Sequence, residues 1–126
     1  MEIFIIDDDL IQRMIVSKMI KTIDPTLVIN QSENGEIGLA MLKQHSDSHQ
    51  KIIILLDINM PILDGWGFLE EIEKSNFYNL DQLSIYIVSS SIDESDILKA
   101  NQYGFVKSFL HKPLSREDLS TIISAD

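Results

Sequence analysis

Apolar residues along this chain keep two rhythms. Short runs rich in Ile, Val and Phe recur at 3–6, 27–29, 52–56, 85–88 and 106–110. They read as strands, most of them apolar on both faces and therefore buried on both. Between them the spacing turns helical. In LIQRMIVSKMIKTI (10–23), Leu10, Met14, Ile15 and then Met19 or Ile23 are expected on one side, the apolar one. Ile37, Met41 and Leu42 group in the second such stretch, and Leu69 pairs with Ile72 in the third. The fourth, DESDILKANQYG, is expected to stop at Gly104. The last opens with Ser115 as N-cap and Asp118 three residues on, ahead of a stripe of Leu119, Ile122 and Ile123. The order is strand then helix, five times over. That alternation predicts an α/β fold, a doubly wound parallel sheet with right-handed crossovers and helices on both faces.

Composition narrows the field. At 126 residues the chain is one domain's worth, and we expect a single domain over 1–126 with no second unit. A net charge of −10 disfavours a nucleic-acid surface, which needs clustered Lys and Arg. There is no cysteine, which excludes disulfides and thiolate metal sites. No apolar run approaches the roughly 20 residues that span a bilayer, and the opening MEIFIIDDD lacks a signal peptide's pattern, so a cytoplasmic location is expected.

In a doubly wound sheet ligands sit beyond the carboxyl ends of the strands. Four of those ends carry chemistry: Asp7, Asp8 and Asp9 after the first run, Asp57 after the third, Ser89 to Ser91 after the fourth, and Lys112 after the fifth. The sharpest is IIILLDINMPILDGW (52–66), where five apolar residues run directly into a carboxylate. An isolated charge at the end of a buried strand is costly, so something must meet it. Taken singly the candidates are ordinary: Asp9 reads as a helix cap, the serines as turn residues, Lys112 as a surface charge before a proline. Converging, they define a site. Asp7, Asp8 and Asp57 could not all stay ionised without a cation, and an all-oxygen donor set suits a hard one, magnesium best. A carboxylate there is a competent nucleophile toward a phosphoryl group, with a lysine and a hydroxyl sharing the charge.

Four segments, FIIDDD, LLDINMPILDGW, YIVSSS and FLHKPL, stand in an order and spacing that resemble the receiver domain of two-component response regulators. The resemblance covers essentially the whole chain, and is to the stand-alone, chemotaxis-receiver-like form. It implies the flavodoxin-like receiver fold with strand order 2-1-3-4-5. It implies that Asp57 accepts a phosphoryl group from a histidine kinase or histidine phosphotransfer protein. Asp8 would bind Mg2+ directly, Asp7 largely through water, and Asn59 through its backbone carbonyl. Ser89 and Phe109 would be the switch residues and Lys112 the partner of the phosphoryl oxygens. The Lys112–Pro113 bond resembles one that is cis in the family. Gly65 is read as structural, relieving backbone strain in the loop behind the acceptor. The output would pass by protein contact through the face of the fourth helix, fifth strand and fifth helix, or along a phosphorelay, with no separate turnover substrate.

Two other readings compete. A haloacid-dehalogenase-type phosphatase also uses an Asp nucleophile at a strand end, but needs an acid two residues on, where this chain has Asn59. A pseudo-receiver that has lost phosphorylation would lack an acid, the acceptor or the lysine, and all are here. Trp66 and Gly67, opening a helix, have no functional account in the sequence.

Overall fold

The computed structural model describes residues 1–45, 50–60, 62–75, 79–90 and 93–125. Five strands, β1 (Glu2–Ile6), β2 (Val28–Ser32), β3 (Ile52–Asp57), β4 (Leu83–Ser89) and β5 (Val106–His111), alternate with five helices. The helices are α1 (Leu10–Ile23), α2 (Gly35–Lys43), α3 (Gly65–Lys74), α4 (Glu94–Ala100) and α5 (Arg116–Ala125). All pairings are parallel in the order β2-β1-β3-β4-β5, so β1 and β3 are neighbours at the point where the order reverses. Every residue of β3 and β4 is buried, as continuous apolar runs require. The two edge strands are the exceptions: β2, VINQS, is polar enough that only its first residues stand out in the sequence, and β5, VKSFLH, has no fully buried residue.

Alternation along the strands divides the interior into two cores. One, on the α2–α3–α4 side, holds Phe4, Ile6, Ile54, Leu56, Phe68, Leu69, Ile85 and Ile87. The other, on the α1–α5 side, holds Ile3, Ile5, Val16, Ile20, Ile53, Leu55, Val88, Leu114 and Leu119. α1 departs from expectation. It buries Val16, Ser17 and Ile20, while Leu10, Ile11, Met14 and Ile15 are exposed. The helix is apolar on two sides, so periodicity alone could not say which one faces the sheet. α4 is anchored by a single fully buried side chain, Ala100, and ends there with Asn101 as cap; Gly104 lies beyond it with nothing to stop. The Lys99 ammonium of α4 sits 4.5 Å from the centre of the Trp66 ring on α3. α5 begins as expected, with reciprocal bonds between Ser115 and Asp118 at 3.0 Å each.

The loop after β3 corrects the reading of Gly65. No glycine among the described residues has positive φ; the left-handed residues are Ile62 (φ 52°) and Leu63 (φ 67°), unusual for such side chains. Gly65 is needed for closeness instead. A Cβ there would lie 2.7 Å from Ile58 Cα and 2.8 Å from the Asp57 carbonyl oxygen, and the Gly65 N–H donates to the Ile58 carbonyl at 2.9 Å. The loop is thereby pulled tightly beneath the end of β3. Gly67 differs: its Cβ would meet only the end of the Leu63 side chain, at 2.6 Å, which can move aside. Replacing Gly65 with Ala is expected to cost about 1–3 kcal/mol by overpacking, read as a lower urea midpoint at unchanged slope. Gly104→Ala, with open space around it, serves as the near-neutral control.

Candidate functional site

Three strand ends converge where β1 and β3 run side by side. Asp7 follows β1, and Asp57 closes β3 on the same sheet face as Ile53 and Leu55. Lys112 follows β5, one step beyond His111, and its peptide bond to Pro113 is cis. The Lys112 ammonium reaches over β4 to lie 2.8 Å from Asp7 Oδ2 and 3.4 Å from Asp57 Oδ2. The second Asp57 oxygen accepts the Asn59 N–H at 3.2 Å. Asp8 is exposed at the rim, yet carboxylate oxygens of Asp7, Asp8 and Asp57 come within 4.8 Å of one another. Beneath them a cavity of about 20 Å3, lined by Val16, Leu55, Val88 and Leu114 with Gln12 at its edge, has room for one water and no larger ligand.

Three carboxylates against one ammonium leave excess negative charge in a half-dry setting. Asp57 shows the consequence: desolvation raises its pKa to about 6, Lys112 pulling it down and Asp7 pushing it up. Burial works against the Lys112 ammonium, but its hydrogen bond and charge contact with Asp7, and the charge of Asp57, outweigh this and hold its pKa above the ordinary value. The donors are all oxygen and the charge is uncompensated, so the cluster fits a hard divalent cation.

The remaining residues sort by position. Ser89 ends β4, 1% exposed, on the opposite sheet face from Asp57 by alternation, with its carbonyl accepting the Lys112 N–H at 2.8 Å. Phe109 of β5 is half-buried against the α2–α4 core. Asp9 caps α1, its carboxylate accepting the Ile11 and Gln12 N–H groups. His45 binds the Met41 carbonyl and Glu2, with its ring edge-on to Phe4, away from the site. Ser91 and Pro61 lie outside the described residues. Sequence reasoning passed over Arg13, whose Nη1 donates to the Asp7 carbonyl. A cation this near a helix N-terminus opposes the helix dipole, which was the available signal.

The sequence matches the family described as response regulator receiver domain over residues 3–124. This chain belongs to that family. Among curated relatives, the sensor histidine kinase CheAY of Helicobacter pylori is 32% identical over 94% of this chain, which spans 14% of that protein. The probable methanogenesis regulatory protein FilR2 of Methanothrix harundinacea is 26% identical over 96% of the chain and 77% of its own length. The fold is that of a two-component response regulator from Cytophaga hutchinsonii, with TM-score 0.88 at 24% identity, covering 98% of this chain and 94% of that one. It is also that of one chain in the structure of the CheX–CheY–BeF3–Mg complex from Borrelia burgdorferi, with TM-score 0.81 at 23% identity, covering 98% of this chain and 87% of that one. No helix among the described residues is long and apolar enough to cross a membrane.

The raised Asp57 pKa has a thermodynamic sign. Its folded value of about 6 lies above the ordinary aspartate value of 3.8, so its contribution to stability is present below about pH 4 and lost as pH rises through 6. In metal-free buffer, Asp57→Asn is therefore expected to be more stable than wild type at pH 7–8 by about 1–2 kcal/mol, a difference that closes by pH 4. Urea melts across that range measure it.

Proposed function

We propose that this chain is a phosphorylation-driven switch that accepts a phosphoryl group on Asp57 from a phosphohistidine. The observation that carries the reading is the joint placement of an acceptor carboxylate, an ammonium 3.4 Å away and an acid pair at the carboxyl end of the sheet. In the transfer a carboxylate oxygen of Asp57 forms the new O–P bond while the P–N bond of the donor breaks and the imidazole leaves. Lys112 then faces phosphoryl oxygens in place of the carboxylate. Asp7, Asp8, Asp57 and the Asn59 carbonyl would hold Mg2+, which when bound supplies charge to offset the phosphoryl oxygens.

The switch is a bias between two states rather than a new structure. Ser89 is the hydroxyl that would turn toward the phosphoryl group, and its neighbour in the same half of the sheet is Phe109, already half-buried and able to move inward. The surface they reshape is that of α4, β5 and α5, where Leu98 and His111 are exposed. Donor docking has its own support. Leu10, Ile11, Met14 and Ile15 of α1 are 47–62% exposed and adjoin the acid turn, with Ile62 exposed on the β3–α3 loop. An apolar patch continuous with the acceptor suits a helical donor that brings its histidine to the rim.

Intact mass after incubation with acetyl phosphate tests the chemistry. One Mg2+-dependent, base-labile phosphoryl adduct is expected on wild type and none on Asp57→Asn; no adduct on folded wild type with Mg2+ would sink the reading. A second experiment separates donor docking from chemistry. Ile11→Glu is expected to slow transfer from a phosphorylated histidine phosphotransfer protein about tenfold, the scale of one good interface residue. It should leave the acetyl phosphate rate unchanged.

A further inference from the structure

Asp7 is held at every polar atom. Its N–H donates to the Ser32 carbonyl at 3.0 Å, one carboxylate oxygen accepts the Asp9 N–H at 2.9 Å and the other takes Lys112. Its carbonyl accepts Nη1 of Arg13 at 2.6 Å. That last contact is unlike a surface ion pair. Among the described residues Arg13 pairs with no carboxylate, and its Nε is buried with no hydrogen-bond partner. A guanidinium that forgoes a salt bridge and leaves one N–H unpaired is being used for where it holds the backbone. The carbonyl it grips belongs to the Asp7–Asp8 peptide, and Asp8 is exposed with no other described side-chain bond to fix it. The direction in which Asp8 leaves the turn is therefore set by that peptide.

We propose that Arg13 is a positioning residue: by clamping the Asp7 carbonyl it fixes the peptide that aims Asp8 at the divalent cation site shared with Asp7 and Asp57. The inference rests on the reading of that cluster as a Mg2+ site. It differs from a simple charge effect in sign. If Arg13 only offset the acids electrostatically, removing its charge would tighten cation binding. If it holds the turn, removal loosens binding, because groups that orient a ligand typically matter ten- to a hundredfold to metal affinity.

Calorimetric titration with Mg2+ of folded wild type, Arg13→Gln and Arg13→Lys decides. The expected result is about tenfold weaker binding for Gln, with Lys, which keeps one charged donor, in between. At saturating Mg2+ the acetyl phosphate rate of the Gln variant should return to within about twofold of wild type. Equal or tighter Mg2+ binding by Gln overturns the proposal, as does a rate that stays low at saturation, which would mean direct contact with the phosphoryl group. Failure of wild type itself to bind Mg2+ overturns the cation reading together with this one.

Discussion

The molecule is organised around the difficulty of keeping a carboxylate at the end of its most buried strand. β3 has no exposed residue, and Asp57 inherits that dryness. What makes it tolerable is Lys112, brought from the far side of β4 with its stem along apolar side chains and its ammonium between two acids. The sheet order serves this arrangement. Placing β1 beside β3 brings Asp7 within reach of the same ammonium, and the tight loop behind Asp57 keeps the strand end from drifting outward. The compensation is incomplete, and that incompleteness is chemically useful. A carboxylate already burdened by desolvation and a like neighbour gains more than an ordinary one from a bound cation.

Alternation also sorts the candidate site residues onto two faces of the sheet. Asp7, Asp57 and Lys112 stand on the face backed by α1 and α5, Ser89 and Phe109 on the face backed by α2, α3 and α4. On the function proposed above, a change at Asp57 on one face would be felt as packing on the other across a single layer of sheet. The Lys112 N–H bonded to the Ser89 carbonyl links them directly.

Much of this was legible in the sequence because the informative residues violate their surroundings. Asp57 interrupts an apolar run, Lys112 ends one, and doubled acids follow another; local propensity explains none of them, and a shared site explains all. What stayed hidden has physical causes. α1 has two apolar sides, and only packing selects Val16 and Ile20 over Met14 and Ile15. β2 is an edge strand whose polar half looks like loop. The glycine at 65 depends on its distance to the Ile58 and Asp57 backbone, which no linear pattern encodes. Arg13 reads as a solvated charge until its carbonyl partner is seen.

The contact between α3 and α4 carries a consequence of its own. Trp66 is the chain's one tryptophan, and the cation over its ring belongs to the helix held by a single buried alanine. An indole's emission depends on the field across it, so the distance of the Lys99 ammonium is written into the protein's intrinsic fluorescence. A helix so lightly anchored has only one fully buried side chain to lose from the core if it shifts. Its displacement would be visible in the native chain, free of any attached label.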